Sequence, residues 1–519
     1  MIEDEKNQPI AKVGSTSSVS SSEEAKKHFI YDEELRKSRF NKKPNLTDIL
    51  TIFCAGFALI SDGYQNNVMT MLNPTFTKLY PKTYDADLKA AVSNASTVGT
   101  ILGQVAIGFA TDLISRKTAI VIATLFLILG TILCAAAHGK TDYGMFWMLI
   151  IARGVTGFGI GAEYPSSSVS ANEAANESHK RRGFPFVMCT NFPLSFGGPL
   201  ALCIFLIVYQ ITKVHDGLWR AMYAIGAFLP LSVFYFRMKL ISSILFKKSK
   251  INRNVPYWLA FKFYWKRLFG TCVCWFLYDF VTFPNGIFSA TIISNVLKGS
   301  AKGDLEKTAE WTLLLTTICL PGVFIGAYIC DFIGRRNTLC LGFSGYIVFG
   351  LIIGIAFKKI SNIVPLFIVF YGIFMSFGNL GPGCMMGLVS SESFATPMRG
   401  TAYGISAAIG KVGAVVGTKV FTPIEDNLGQ GWTFIIAAIC GLVGVLVGWF
   451  FIPQLKDDDL MQEDIKFKNY LLDHGWTGHF GTDEVVDLEK ERAIDDDLVN
   501  DSDVEQKKEQ LDYQKQFIH

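Results

Sequence analysis

Four ionisable residues, Asp62, Glu163, Asp279 and Lys411, lie inside apolar stretches that otherwise carry almost no charge. A charged side chain at the centre of a bilayer costs about 2.5–3.5 kcal/mol on insertion scales, so each needs a function or a partner. Lys411 can attract an anion such as phosphate, and a nearby carboxylate must be neutralised before that anion is tolerated. This set predicts anion binding coupled to protonation. The alternative is a purely structural ion pair of Lys411 with Asp279 or Glu163.

Aromatic residues accompany one of these carboxylates. Trp275, Asp279 and Phe283 are spaced i, i+4 and i+8, so they share one face of a helix. The two aromatic residues either line a binding site or belong to the core. Further along the chain, the sequence Asn-Leu-Gly-Pro-Gly, ending at Gly383, interrupts an apolar stretch. Such interruptions are typical of binding sites or hinges in transport proteins.

The elements that must hold these residues are membrane helices. Half of the 519 residues are apolar, 18% are charged and the mean hydropathy is +0.32, which excludes a disordered chain and an ordinary soluble domain. Twelve apolar stretches are long enough to cross a bilayer. They begin near residues 48, 92, 118, 144, 184, 218, 268, 310, 338, 363, 400 and 431. The predicted fold is an all-α membrane protein with twelve transmembrane helices in two six-helix halves.

Charge sets the orientation and the domain boundaries. With both termini in the cytoplasm, the inner segments hold 25 Lys and Arg residues and the outer loops hold 11. From residue 457 to the end there are 19 acidic and 7 basic residues. The predicted segments are a disordered cytoplasmic N-terminal tail (1–45), the first half (46–237), a basic cytoplasmic loop (238–267), the second half (268–455) and an acidic cytoplasmic tail (456–519).

An internal repeat relates the two halves. Asp112-Leu-Ile-Ser-Arg116 recurs as Asp331-Phe-Ile-Gly-Arg335 at an offset of 219 residues, and Asp279 follows Asp62 at an offset of 217. Near-equal offsets indicate two halves of parallel orientation. The stretch from Gly108 to Lys117, and Arg153-Gly154 with the three glycines that follow, resemble signatures of the major facilitator superfamily. The resemblance implies the major facilitator fold.

Charged residues at the cytoplasmic helix ends are expected to lock one half against the other, because cations suit helix C-termini and carboxylates suit N-termini. Solvated turn charges are the alternative. The residues assigned to this gate or lock are Asp112, Arg116, Arg153, Asp331, Arg335, Glu392 and Arg399.

More specific strings narrow the resemblance. They include Gly161-Ala-Glu163-Tyr164-Pro165-Ser166, the stretch from Tyr278 to Phe288, Gly404-Ile-Ser-Ala, and Gly475-Trp-Thr-Gly478. From about residue 45 to 480 the chain resembles the fungal glycerophosphoinositol and glycerophosphocholine permeases, in the phosphate:proton symporter branch of the superfamily. The resemblance implies proton-path roles for Asp62 and Glu163. It implies phosphate-site or coupling roles for Tyr164, Asn191, Trp275, Asp279 and Lys411.

Two departures from phosphate carriers point to a larger substrate. Phe283 and Gly383 stand where phosphate carriers place Tyr and Asn, so each position loses a hydrogen-bonding group, and Gly383 also vacates volume. We therefore expect both residues to contact a phosphodiester bearing glycerol and a head group.

The expected function is that of a plasma-membrane symporter that imports glycerophosphodiesters with protons by alternating access. Glycerophosphoinositol, glycerophosphocholine or both would be carried. The alternatives are an inorganic phosphate:proton symporter and a substrate-sensing, transporter-like receptor. No catalytic or metal-binding constellation stands out in the predicted spans, so an enzyme is disfavoured, and no cofactor or metal is expected. The expected partners are the anionic substrate, protons and the lipid bilayer, with no nucleic acid, and the protein is expected to be a monomer.

Overall fold

The structure is a computed structural model that describes residues 59–113, 116–178, 183–238, 255–297, 303–455 and 460–476. Its first half holds six helical spans. Span 1 is Leu59–Leu79, span 2 Ala86–Leu113, span 3 Arg116–Ala135, span 4 Asp142–Ser178, span 5 Gly183–Cys189 with Asn191–Thr212, and span 6 Asp216–Met238.

The second half repeats this arrangement. Span 7 is Tyr257–Ile287 followed, after a 52° bend, by Ser289–Val296. Span 8 is Leu305–Ile333, span 9 Arg335–Ile355, span 11 Thr396–Leu428 and span 12 Gly431–Phe451. Span 10 consists of Val364–Gly378, a wide π-helical turn at Asn379–Gly383, and Cys384–Glu392. A short helix, Phe357–Ile360, and the tail helix, Leu460–Asp473, complete the described elements.

The predicted fold class and the twelve spans are confirmed. Among the described residues, nine helices are long and apolar enough to cross a membrane, and the bent pair of span 7 makes a tenth. Spans 1 and 6 complete the set but are not among those ten. In span 1 the polar residues around Asp62 lower the hydropathy, and the predicted beginning of that span, residues 48–58, lies outside the described residues.

One predicted boundary is wrong. Span 7 begins at Tyr257, inside the segment 238–267 that is predicted to be a loop. The basic residues of this part of the helix are interspersed with the exposed aromatic residues Trp258, Phe261 and Trp265. Long basic side chains can reach the membrane surface while the helix continues, which a count of charges does not anticipate. The acidic tail, residues 456–519, contains the tail helix, which the sequence did not predict. Residues 1–45, 239–254, 456–459 and 477–519 lie outside the described part of the chain.

Glycines in span 4 bring the helices of the first half into close contact. A Cβ atom on Gly157 would lie 1.9 Å from the Ser96 carbonyl oxygen, and one on Gly161 would lie 2.1 Å from that of Thr100. Any side chain at these positions would therefore push span 4 away from span 2. The glycine repeat of the signature thus has a packing role, and it fixes the helix that carries Glu163 and Tyr164.

The two halves meet along two helix pairs. Spans 2 and 11 cross at Gly404, where a Cβ atom would lie 2.4 Å from the Gln104 carbonyl oxygen. Spans 5 and 8 meet at Phe192 and Phe324, whose ring centroids are 5.0 Å apart. One apolar core is formed mainly by the first half and another mainly by the second half. A cavity with both polar and apolar lining remains between the two seams.

Candidate functional site

A cavity of about 220 Å³ lies between the two halves. Spans 1, 4 and 5 form one wall, and spans 7, 8, 10 and 11 form the other. The cavity is lined by Tyr164, Asn191, Trp275, Asp279, Phe283, Gly383 and Lys411, among other residues. The structure therefore brings together every residue that the sequence assigned to substrate binding.

Lys411 and Asp279 form a buried ion pair in this cavity. The Lys411 Nζ atom lies 2.8 Å from Asp279 Oδ2, and the two side chains are 5% and 1% exposed. Spans 7 and 11 can approach this closely because residue 410 is glycine: a Cβ atom there would lie 2.4 Å from Trp275 Cδ1. The cation and one of the predicted coupling carboxylates thus neutralise each other. An anion that binds Lys411 must compete with Asp279.

Aromatic rings surround the ammonium group. Lys411 Nζ lies 4.1 Å from the ring centroid of Phe283 and 5.6 Å from that of Tyr164. Trp275 packs edge-on against Tyr403, with ring centroids 5.4 Å apart. Cation–π attraction strengthens when the cation is desolvated, so these rings help to hold Lys411 in place. Trp275 is buried but lines the cavity, so it serves both the core and the site.

Asn191 and Gly383 lie on opposite walls of the cavity. The Asn191 Nδ2 group donates a hydrogen bond to the Cys384 sulfur at 3.2 Å, which links span 5 to span 10. A Cβ atom on Gly383 would lie 2.8 Å from the Tyr278 hydroxyl oxygen. The space that the missing side chain leaves is therefore partly filled by Tyr278, which corrects the expectation that Gly383 simply vacates volume.

Asp62 and Glu163, the predicted proton-path carboxylates, are fully buried, each 0% exposed. Neither is among the residues that line the cavity, but their chain neighbours Gly63 and Tyr164 are. Both carboxylates are therefore buried next, along the chain, to residues of the first-half wall. A group in this position can exchange a proton close to the substrate without touching it.

At one end of the cavity, each half supplies an aspartate that accepts hydrogen bonds from the first two turns of a helix of the other half. Asp112 accepts from the N–H groups of Gly400 and Thr401 at 3.0 and 2.6 Å. Asp331 accepts from the N–H groups of Gly183 and Phe184 at 3.1 and 3.0 Å. A carboxylate at a helix N-terminus is stabilised by the helix dipole and by charge-assisted hydrogen bonds. The internal repeat thus places two equivalent contacts across the interface between the halves.

Arg335 extends the second of these contacts. Its guanidinium group lies 3.1 Å from Asp331 Oδ1 and 3.1 Å from Glu392 Oε2, and all three side chains are buried. Arg399 donates to the Phe394 carbonyl oxygen at 3.1 Å within the second half. These residues hold spans 8, 9, 10 and 11 together behind the contact.

The assignment of Arg153 to the cytoplasmic lock is wrong. Arg153 donates to the Val92 carbonyl oxygen at 2.9 Å and to the Tyr223 hydroxyl at 2.8 Å, which both belong to its own half. Val92 and Tyr223 lie near the beginnings of spans 2 and 6, whereas Asp112 lies at the end of span 2. Arg153 therefore ties spans 2, 4 and 6 together at the opposite end of the half from the Asp112 contact. Arg153 was assigned to the lock because Arg153-Gly154 resembles a signature of the superfamily. The position of Arg153 along span 4, however, decides which groups it contacts. The side chain of Arg116 lies outside the described part of the chain.

Contacts between the halves also occur on the side of the cavity away from Asp112 and Asp331. Gln210 Nε2 donates to Glu306 Oε1 at 2.6 Å, and the Thr70 hydroxyl donates to the Gly286 carbonyl oxygen at 3.4 Å. Gly286 lies immediately before the bend of span 7 and lines the cavity. The cavity is therefore bounded by contacts between the halves on both sides.

Sequence reasoning missed two groups of residues. The first is the polar lining contributed by the first half, of which Asn66 and Asn67 could have been assigned because amides are rare in apolar stretches. The second is the acidic pair of the tail helix. Glu463 lies 2.7 Å from Arg267, and Asp464 accepts from the Thr396 N–H group at 2.7 Å. No signal in the acidic composition separated these two carboxylates from their neighbours.

Residues 49–467 match the family model described as sugar (and other) transporter. The chain is 66% identical to glycerophosphoinositol permease 1 of Candida albicans, over 92% of this chain and 93% of the relative. It is 54% identical to glycerophosphoinositol transporter 1 of Saccharomyces cerevisiae, over 90% and 91% of the two chains.

Among solved structures, the proton:xylose symporter XylE bound to 6-bromo-6-deoxy-D-glucose superposes with a TM-score of 0.68 at 17% identity. That likeness covers 82% of this chain and 100% of XylE, and it shows the fold. The chain is also 35% identical, over 86% of its length and 92% of the relative, to the MFS-type transporter lnaF of Aspergillus flavus. The match over residues 49–467 and this relative show that the protein belongs to the sugar (and other) transporter family of the major facilitator superfamily.

Proposed function

We propose that this protein is a proton-coupled symporter that imports glycerophosphodiesters, glycerophosphoinositol above all, across the plasma membrane by alternating access. The observation that carries the proposal is the buried pair of Lys411 and Asp279 inside the cavity between the halves. The names of the two similar yeast proteins support the substrate class.

The ion pair provides a mechanism for coupling. A substrate phosphate that approaches Lys411 meets a carboxylate of the same sign, because Asp279 lies 2.8 Å from the ammonium group. Two anions cannot share this desolvated space unless one is neutralised, so protonation of Asp279 lets the phosphate take its place. The proton and the diester then occupy the cavity together.

Asp62 and Glu163 supply the route of the proton in this proposal. Both are buried next, along the chain, to Gly63 and Tyr164 of the first-half wall, whereas Asp279 belongs to the second-half wall. Each carries a carboxyl group, which can accept a proton and release it again. In this proposal both chain termini lie in the cytoplasm, and the monomer is the transporting unit.

Alternating access follows from the contacts on the two sides of the cavity. Opening to the outside requires the contacts at Thr70 and Gln210 to break, whereas opening to the inside requires Asp112 and Asp331 to release the opposing helix N-termini. Each set joins one half to the other, so the halves can move as bodies about the cavity. Neither motion requires a span to unfold.

The deciding experiment measures uptake of labelled glycerophosphoinositol by cells that lack other carriers of this substrate. We expect concentrative uptake that unlabelled glycerophosphoinositol suppresses more strongly than equal inorganic phosphate. If phosphate were the better competitor and were itself accumulated, the inorganic phosphate symporter would replace our proposal. If neither compound were accumulated while both bound to the purified protein, a substrate sensor would be the correct function.

A further inference from the structure

The two walls of the cavity differ in chemistry. Among the described lining residues, both charged side chains, Asp279 and Lys411, belong to the second half. The lining from the first half carries no charge and consists of amides and hydroxyls besides apolar and aromatic groups. Its amide and hydroxyl members are Asn66, Asn67, Ser168, Thr190, Asn191 and Ser195. The second-half wall also has amides and hydroxyls, such as Thr282, Asn285 and Asn379, but these are already hydrogen-bonded within that half.

Several of these groups have hydrogen-bonding capacity left over. Asn67 donates to the Gly63 carbonyl oxygen at 2.8 Å, which leaves its own amide oxygen available. Thr190 donates to the Phe186 carbonyl oxygen at 2.7 Å, which leaves its hydroxyl oxygen free to accept. The side chains of Asn66 and Ser195 make no hydrogen bond with the described residues. The first-half wall thus offers both donors and acceptors to a ligand.

This pattern fits a polyol. Each hydroxyl group of a polyol can both donate and accept a hydrogen bond, so it can pair with amide and hydroxyl side chains. A quaternary ammonium head group has no hydrogen-bond donor or acceptor, and proteins recognise it through the faces of aromatic rings. Here the rings of Phe283 and Tyr164 already lie beside the Lys411 ammonium group, at 4.1 and 5.6 Å from their centroids. A second cation placed there would be repelled by Lys411.

We infer that the first-half wall is a polyol subsite. It binds the uncharged head group of the diester through Asn66, Asn67 and Ser195, while the phosphate lies against Lys411 on the second-half wall. The inference rests on the proposed function and deepens it: the protein selects a diester with a polyol head group over one with a quaternary ammonium head group. Both halves must close on one substrate molecule, each holding a different part of it.

The test compares glycerophosphoinositol with glycerophosphocholine in the full-length protein. Asn66→Leu removes an amide while keeping its bulk, and Ser195→Ala removes a hydroxyl. We expect each change to lower the ratio of Vmax/KM for glycerophosphoinositol to that for glycerophosphocholine about fivefold, and the double variant to lower it more than tenfold. Ser195→Thr keeps a hydroxyl and should retain most of the preference.

Two exposed residues of the first half supply matched controls. Thr77 on span 1 and Ser232 on span 6 are exposed, and the Ala variants should leave the ratio unchanged. Surface labelling shows whether each variant reaches the membrane. If the double variant does not reach it, the ratio of Vmax/KM measured for the two single variants tests the subsite. A loss that is equal for both diesters, or an unchanged ratio, would overturn the subsite. Failure of the wild-type protein to accumulate either diester would instead refute the proposed function.

Discussion

The Lys411 ammonium group is held by one carboxylate and two aromatic rings, and its closest ring belongs to Phe283. Replacing Lys411 with Ala leaves Asp279 buried without its cation, a loss that costs about 3–5 kcal/mol in other proteins. We expect Lys411→Ala to abolish uptake of both diesters. Lys419→Ala, an exposed change on the same span, is the control and should transport normally.

A double variant distinguishes a role of Lys411 in substrate binding from a role in stabilising the folded protein. Lys411→Ala with Asp279→Ala removes both charges, so no unpaired ion remains in the cavity. We expect surface expression to recover relative to Lys411→Ala while uptake stays absent, because the phosphate has lost its cation. Recovered uptake in the double variant would show that the pair is only a structural link between spans 7 and 11.

Selectivity against inorganic phosphate is predicted to depend on Phe283. A hydroxyl added by Phe283→Tyr would supply one donor for a phosphate oxygen, and an unpaired oxygen costs about 1–3 kcal/mol. We expect inorganic phosphate to compete about tenfold better against glycerophosphoinositol in this variant. Competition curves measured at equal surface expression give the ratio. An unchanged curve would exclude Phe283 as a selectivity residue.

Gly383 requires a different experiment from the one that the sequence alone suggests. Because a side chain there would press on the Tyr278 hydroxyl, Gly383→Asn combines an added amide with a steric conflict. Gly383→Asn with Tyr278→Phe relieves part of that conflict, so it is the better comparison with Phe283→Tyr. The sequence located Gly383 in the site, but only the structure shows what occupies the adjacent space.

Among the elements, span 11 is bound near its N-terminus by two other segments of the chain. Asp112 from the other half accepts from Gly400 and Thr401, while Asp464 of the tail helix accepts from the N–H and hydroxyl groups of Thr396, at 2.7 Å each. Replacement of Asp112 by Asn removes the charge from the contact between the halves. We therefore expect Asp112→Asn to favour opening to the cytoplasm.

Cysteine accessibility measures that shift. Cys384 lines the cavity and is 1% exposed, so in inside-out vesicles its alkylation reports opening on the cytoplasmic side. We expect Asp112→Asn to speed this alkylation severalfold, with a Cys384→Ala background to identify other labelled sites. Asp142→Asn, at the outer end of span 4, is the control. An unchanged rate would mean that Asp112 does not restrain the cytoplasmic opening.

The tail helix divides the C-terminal segment into two parts with different expected roles. Phe467 and Leu471 are fully buried against Tyr264, Phe394 and their neighbours, and removing a buried Phe side chain costs about 3–5 kcal/mol. Truncation after residue 476 should therefore leave uptake intact. Truncation before Leu460 should lower thermal stability in detergent and reduce uptake. Equal behaviour of the two truncations would show that the helix contributes nothing.

At the scale of the whole molecule, the coupling proposal predicts a dependence on the membrane potential and the proton gradient. One charge moved across 100 mV supplies about 2.3 kcal/mol. Accumulation of glycerophosphoinositol should collapse when a protonophore is added, and should weaken as the external pH rises. In the presence of the protonophore, glycerophosphoinositol should still equilibrate across the membrane but should not be concentrated inside the cell. Uptake that is insensitive to both treatments would exclude proton symport.

The fold could be predicted from the sequence because its signals are long and repeated. Twenty-residue apolar stretches and the recurrence of Asp112 as Asp331 each constrain many residues, so small errors at the ends do not change the outcome. The cavity residues Asp279 and Lys411 were found because charge is rare in such stretches. Arg153 was assigned wrongly, and the tail helix was not predicted, because their roles depend on partners far away in the chain, which no local pattern encodes.

The tail helix also has a consequence for the order in which the protein can be assembled. Its residues, Leu460–Asp473, follow all twelve spans, yet Asp464 helps to order the N-terminus of span 11, to which Asp112 of the first half binds. The contacts that order the N-terminal turns of span 11 can therefore be complete only after every span has been synthesised.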